Sequence, residues 1–242
     1  MSEAPGRSLL SRPQILRYME EGDIVVEPFE RRNLGTASYD VRLGPWFFRE
    51  HMQRGTPRVF NPLDENEVRE YWGQPEFAVS AGVWMAKNGP LQNIDASDLI
   101  VVIERGETIL SHSIEFIGGR HCVTTEMRAR STMGRNGMTV CKCAGWGDVG
   151  FCNRWTMEMT NLSGRAIVLP VGLRVAQIAF YAVDPIDADS YAGDGGKYQG
   201  TDDVAAMMAG WRPEQMLPRL YADRDIGQFH TFIPADCRVP SS

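Results

Sequence analysis

The stretch Trp155-Thr156-Met157-Glu158-Met159-Thr160 sets one carboxylate among alternating apolar and polar residues. A two-residue period puts Trp155, Met157 and Met159 on one face of a strand and Thr156, Glu158 and Thr160 on the other. A lone Glu on a polar strand face is commonly just solvated. A carboxylate desolvated against a bound ligand, however, has a raised pKa and can take a proton from water and return it to a leaving group. Upstream, Arg130, Ser131, Thr132 and Arg135 fall within six residues. If Ser131 opens a helical turn, Arg135 lies on the same face four residues later. Two guanidiniums, two hydroxyls and the turn's N–H groups then suit a phosphate chain. The same residues also make an ordinary capped surface turn with solvated arginines. Between turn and strand lies Ala144-Gly145-Trp146-Gly147-Asp148-Val149-Gly150, whose three glycines let backbone approach a ligand closely. Asp148 can accept a hydrogen bond from a sugar hydroxyl, although a tight hairpin with a turn Asp fits the same spacing.

These groups need a scaffold. The chain has 242 residues, 43% hydrophobic and 10% aromatic, enough for one sizeable core and one domain. An insertion at about residues 50–96 and an extension after residue 201 are expected additions to that domain. Ser11 reads as an N-cap, with Pro13 in the first turn, Gln14 in the capping-box position and Gly22 as the stop, which predicts an N-terminal helix. Its apolar Ile15, Leu16 and Met19 pack inward. From Ala37 to Phe48 and from Leu99 to Val183, short strands punctuated by Gly, Pro and Asn are expected. They run Leu99 to Ile103, Thr108 to Ser111, Cys122 to Met127, Thr139 to Cys143, Arg154 to Asn161, Ala166 to Leu169 and Leu173 to Tyr181. A short helix is expected between Thr201 and Gly210. The aromatics of the insertion, such as Tyr71, Trp72 and Trp84, are expected to pack against the body or a neighbouring subunit.

Composition narrows the partners. A net charge of −6 excludes a broad nucleic-acid surface. A small triphosphate needs only a local cluster, here Arg128, Arg130, Arg135, Lys142 and Lys197, with magnesium offsetting the remaining charge. Five cysteines in no regular framework predict reduced thiols in a cytoplasm. The zinc deaminases use a His-x-Glu segment and a later Pro-Cys-x-x-Cys. This chain has neither, so no zinc is expected and any metal comes with the nucleotide. Nothing approaches the roughly 20 apolar residues of a membrane span.

The order of turn, loop and strand resembles the dCTP deaminase branch of the trimeric dUTPase superfamily. That family's turn of RSS type ending in Arg is matched by Arg130-Ser131-Thr132-Met133-Gly134-Arg135, and its A-[GH]-x-I-D-P-G loop by Ala144 to Gly150. Its strand ending in Leu-Glu is matched by Met157-Glu158, and its P-G-x-x-I-x-Q-L strand pair by Pro170-Val171-Gly172 running to Gln177. Ser38 to Leu43 and Gly196-Lys197-Tyr198-Gln199-Gly200 resemble its first long strand and its substrate-closing tail. The resemblance implies a mainly β fold, a dUTPase-like distorted β-barrel or jelly roll with a few short helices, assembled as a homotrimer. It implies Glu158 as proton shuttle, Ser131 and the Ala144 carbonyl as holders of the water, and Arg135 as an electrostatic aid. Asp148 would bind the 3′-hydroxyl, and Thr156 and Met157 belong to the substrate-binding set. Arg130, Ser131, Thr132, Gln177 and Lys197 would hold the phosphates with Mg²⁺, and Met133 and Gly134 belong to the same binding turn. Tyr191 would stack on the deoxyribose.

Three departures stand out. The family's Ile-Asp-Pro is Gly147-Asp148-Val149, which is expected to loosen the loop. The family's Gln four residues after the tail Lys is Thr201, which leaves open a cytosine with a substituent or a different pyrimidine. Gly145-Trp146 resembles the Gly-aromatic pair of relatives that also hydrolyse dUTP, whereas deaminase-only relatives often carry His-Arg. The expected activity is therefore zinc-independent deamination of dCTP to dUTP and ammonia, with a bifunctional dUMP-forming enzyme as alternative. A plain dUTPase, or an inert dNTP-binding regulator, are further alternatives.

Overall fold

In the computed structural model, residues 8–50, 59–186, 191 and 196–223 are described. The N-terminal signals act as read: Ser11 N donates to Gln14 Oε1 at 3.0 Å, and helix α1 (Arg12–Glu21) stops at Gly22 with φ 88°. It buries Ile15, with Leu16 and Met19 packed beside it. β1 (Ile24–Glu27) and β2 (Tyr39–Arg49) follow. The insertion folds as α2 (Glu65–Trp72), β3 (Glu76–Phe77), β4 (Val79–Ser80) and α3 (Ala81–Asn88). Then come β5 (Leu99–Ile103), β6 (Thr108–Gly119), β7 (Val123–Ala129), α4 (Ser131–Arg135), β8 (Met138–Thr139), β9 (Trp146–Gly147), β10 (Cys152–Asn161), β11 (Ile167–Pro170), β12 (Arg174–Ala182) and α5 (Val204–Gly210).

Nine strands form one curled sheet in the order β8-β10-β6-β2-β12-β7-β9, with β1 on β6 and β3 on β2. A smaller sheet runs β11-β5-β4. β6 is buried along almost its whole length, as a strand covered on both faces must be. That cover takes in even the polar His112, Ser113 and Glu115 and carries the strand on to Gly119, eight residues past the predicted end. The strand expected over Thr139 to Cys143 is shorter in the fold: only Met138 and Thr139 pair with β10, and Lys142 takes φ 39° in the turn that follows.

Two apolar clusters hold the molecule. The larger one gathers α1, β2, β12 and the inner faces of β6 and β10. In the second, Phe48, Leu110 and Phe116 of the sheet pack against Trp72 of α2 and against Met207, Trp211, Met216 and Leu217 of the C-terminal extension. The insertion and the extension thus meet on one side of β6 and β10. His112, at the centre of β6, lies 4.6 Å from the Trp211 ring. Burial pushes its imidazole down to about 4, and Nδ1–H donates to Ser113 O at 2.7 Å while Nε2 accepts from Trp46 N at 3.3 Å. Gly44 leaves the room: a Cβ there would collide with the imidazole.

Candidate active site

β10 alternates as its sequence requires. Trp155, Met157 and Met159 are buried in the core, while Arg154, Thr156 and Glu158 are partly exposed on the other face. Thr160 departs from the pattern, being buried with its hydroxyl 2.8 Å from that of Thr108. On its outer side only Thr160 and Asn161 pair with β8. From Cys152 to Met159 the edge away from β6 has no strand partner among the described residues.

That free edge borders a cavity of about 410 Å³. Ala144, Trp146, Asp148, Thr156, Glu158 and Tyr191, all site residues expected from the sequence, line it together. Glu158 is the electrostatic centre. Its Oε2 is buried without a hydrogen-bond partner among the described residues. Burial pushes the carboxyl up to about 7, opposed by a hydrogen bond from its own backbone and by the Lys142 charge. A carboxyl balanced near neutrality is equally able to take a proton and to give one.

The loop before β10 is held firmly, contrary to the loosening expected from Gly147. Gly147 O accepts from Thr124 Oγ1 at 2.7 Å, β9 pairs with Thr125 and Glu126 of β7, and a Cβ on Gly147 would come within 2.6 Å of the Trp155 ring. The indole fills the volume a side chain at 147 would need, and its Nε1 donates to Ile117 O at 2.9 Å. Gly145 is equally confined, because a Cβ there would strike the Met127 carbonyl. Trp146 projects outward at 63% exposure, and Tyr191 stands edge-on to Phe151 at 5.2 Å.

The remaining predicted residues lie elsewhere. Ser131, Thr132, Gly134 and Arg135 are exposed on α4. Arg130 and Thr132 line a separate groove with Arg165 and Arg174, and Arg130 Nε sits 3.2 Å from Asp40, which Arg174 also contacts. Met133 and Met157 are core side chains, so only their backbone can meet a ligand. Gln177 is exposed on β12. Lys197 and Thr201 line a cavity that shares Asn153, Tyr198 and Gln215 with the first, and Lys197 Nζ is 3.1 Å from Asp223. The expected basic cluster is therefore not gathered in one chain, and Arg128 is paired with Glu126.

Sequence reading missed Arg154, Trp72 and Trp211, which also line the Glu158 cavity. Arg154 had a signal, because it is four residues before Glu158 and so on the same strand face. The two tryptophans had none, since they arrive from the insertion and the extension. Among the described residues no group of three or more His, Cys, Asp or Glu is placed to hold a metal ion.

The curled, mainly β sheet, in which β10 holds a desolvated Glu beside a cavity, is a dUTPase-like fold. It is shared with the solved 2′-deoxycytidine 5′-triphosphate deaminase from Agrobacterium tumefaciens, with a TM-score of 0.50 and 15% identity over 72% of this chain and 48% of that one. The chain thus spans about half the length of that solved chain. The dCTP deaminase-like family model matches residues 9–183, and the chain belongs to that family. It is 33% identical to the dUMP-forming dCTP deaminase of Methanopyrus kandleri over 200 residues, covering 81% of this chain and 92% of that protein. To the dCTP deaminase of Natronomonas pharaonis it is 29% identical over 230 residues, covering 90% and 98%.

Proposed function

We propose that this protein is a cytoplasmic dCTP deaminase that works without zinc. Water adds to C4 of the cytosine, ammonia leaves, and dCTP plus water becomes dUTP plus ammonia. The observation that carries this reading is Glu158: a half-hidden carboxyl with an unpaired buried oxygen, held near neutrality on the floor of a nucleotide-sized cavity. It takes the proton from water as the C4–O bond forms and passes it to the departing amine. The Ala144 carbonyl borders the same cavity and, with Ser131, holds the water. Thr156 and the free edge of β10 face the base, Asp148 takes the 3′-hydroxyl, and Tyr191 stacks on the deoxyribose.

The phosphate end is supplied by Arg130, Ser131, Thr132, Arg135, Gln177 and Lys197, with Mg²⁺ brought by the triphosphate itself. Because α4 does not line the Glu158 cavity, we infer that a second subunit contributes it, in a homotrimer. Further conversion of dUTP to dUMP is a second reading, favoured by Gly145, whose backbone approach excludes any side chain, and by the exposed Trp146 in the cavity wall.

Ammonia release from dCTP tests the deaminase reading. Glu158→Gln is expected to lower it about a hundredfold to ten-thousandfold while nucleotide binding survives, and a zinc-selective chelator is expected to leave the wild-type rate unchanged. Near-normal release by Glu158→Gln would reduce Glu158 to a solvated strand residue. Chromatography of the product as dUTP or dUMP decides the second reading.

A further inference from the structure

Arg154 is the cation in the Glu158 cavity that the deaminase reading does not use. Its guanidinium carbon lies 4.9 Å from the Phe116 ring centre and 4.6 Å from that of Trp211. It is thus in cation–π contact with both rings. Its Nε is buried with no hydrogen-bond partner, and no ion pair reaches the guanidinium among the described residues. Burial weakens the charged form, and the carboxylate that opposes this, Glu115, is already bound by Arg42 at 2.6 Å. A buried guanidinium N–H without an acceptor is costly for a protein to keep. Stacking alone needs no open side toward a cavity, yet Arg154 lines the same cavity as Glu158 and shares its strand face.

The ring of cytosine has its own acceptors, N3 and O2, and the unpaired edge of β10 with Thr156 is available for them. The sugar occupies N1 and the reacting amine C4. The ring position adjacent to the reacting carbon that can bear an extra group is C5. The cavity is also built out beyond the loop and tail motifs by Trp72 of the insertion and by Trp211 and Met216 of the extension, so it has walls for more than a bare pyrimidine.

We propose that Arg154 is the specificity-determining residue of a subsite beside Glu158 that takes an oxygen-bearing substituent at C5. The preferred substrate is then a C5-oxygenated deoxycytidine triphosphate, deaminated at C4 as above. The proposal rests on the deaminase reading and deepens it.

The test compares kcat/KM for ammonia release from dCTP, 5-methyl-dCTP and 5-hydroxymethyl-dCTP, the last two differing by one oxygen. The wild-type enzyme is expected to prefer the hydroxymethyl over the methyl substrate by about tenfold to a hundredfold, the range for a hydrogen bond to a charged group. Arg154→Met, which keeps an unbranched stem between the two rings, is expected to bring that ratio close to one, and Arg154→Lys to leave it partly reduced. A wild-type ratio at or below one, or an undiminished ratio in a folded Arg154→Met protein, overturns the subsite. The wild-type ratio decides the matter even if the variant does not fold. Release from dCTP without a C5 preference removes the subsite alone, whereas no ammonia from any of the three removes the deaminase reading with it.

Discussion

A carboxyl two-thirds of the way along a β-strand becomes chemically useful when the water taken from it is only partly replaced, here by its own backbone N–H and the Lys142 charge. Glu158 is in that state. Its unfolded counterpart ionises in the ordinary carboxylate range, near 4.5, and the folded one near 7. Folding therefore favours the protonated form, and the stability this confers is fully present below about pH 4.5 and is lost as the pH rises through 7. The difference amounts to something on the order of 3 kcal/mol. Glu158→Gln has no charge to bury. Its melting temperature is expected to rise relative to wild type as pH goes from 5 to 8, and a difference that stays constant across that range would mean the carboxyl is solvated. For the same reason the acid limb of kcat/KM is expected to turn near pH 7, since the free enzyme needs Glu158 ionised to accept the proton.

At the scale of elements, the site is a strand edge facing a clamped loop. β10 has no strand partner on its outer side between Cys152 and Met159 among the described residues, and the loop from Ala144 to Gly150 is pinned by Thr124 and by the Trp155 indole. The glycine at 147 and the tryptophan at 155 are two halves of one packing solution, a small residue facing a large one. Gly147→Ile is expected to destabilise the protein by about 1–3 kcal/mol through overpacking. Adding Trp155→Leu, which frees the volume, is expected to recover part of that loss. If the two changes are simply additive in thermal melts, the indole is not what confines Gly147.

At the scale of the molecule, the turn proposed to grip the phosphates and the proposed proton shuttle lie in different grooves of one chain. The proposed trimer would join them, with α4 of one copy reaching the β10 cavity of the next in a closed head-to-tail ring. Mixing Arg130→Ala with Glu158→Gln subunits under exchange conditions is expected to restore, at low dCTP, ammonia release that neither variant shows alone. Failure to complement, together with a stable active monomer in sedimentation, would place the whole site within one chain.

Residue spacing by itself determined much of this. The capping pattern around Ser11 and Gly22 set α1, because caps act within a single turn. The two-residue alternation around Glu158 decided which side chains of β10 face the core from Arg154 to Met159, with Thr160 the exception. The motif from Arg130 to Gln177 was enough to name the family and most of the candidate residues. Tertiary structure decided what local patterns cannot hold. The full length of β6 depends on cover from both sides, and the firmness of the loop at Gly147 depends on an indole eight residues later. The grouping of Arg154 with Trp72 and Trp211 joins segments from the insertion, the sheet and the extension. The unusual proton affinity of Glu158 has the same origin. Desolvation is a property of everything that surrounds a group, and only the folded chain assembles those surroundings.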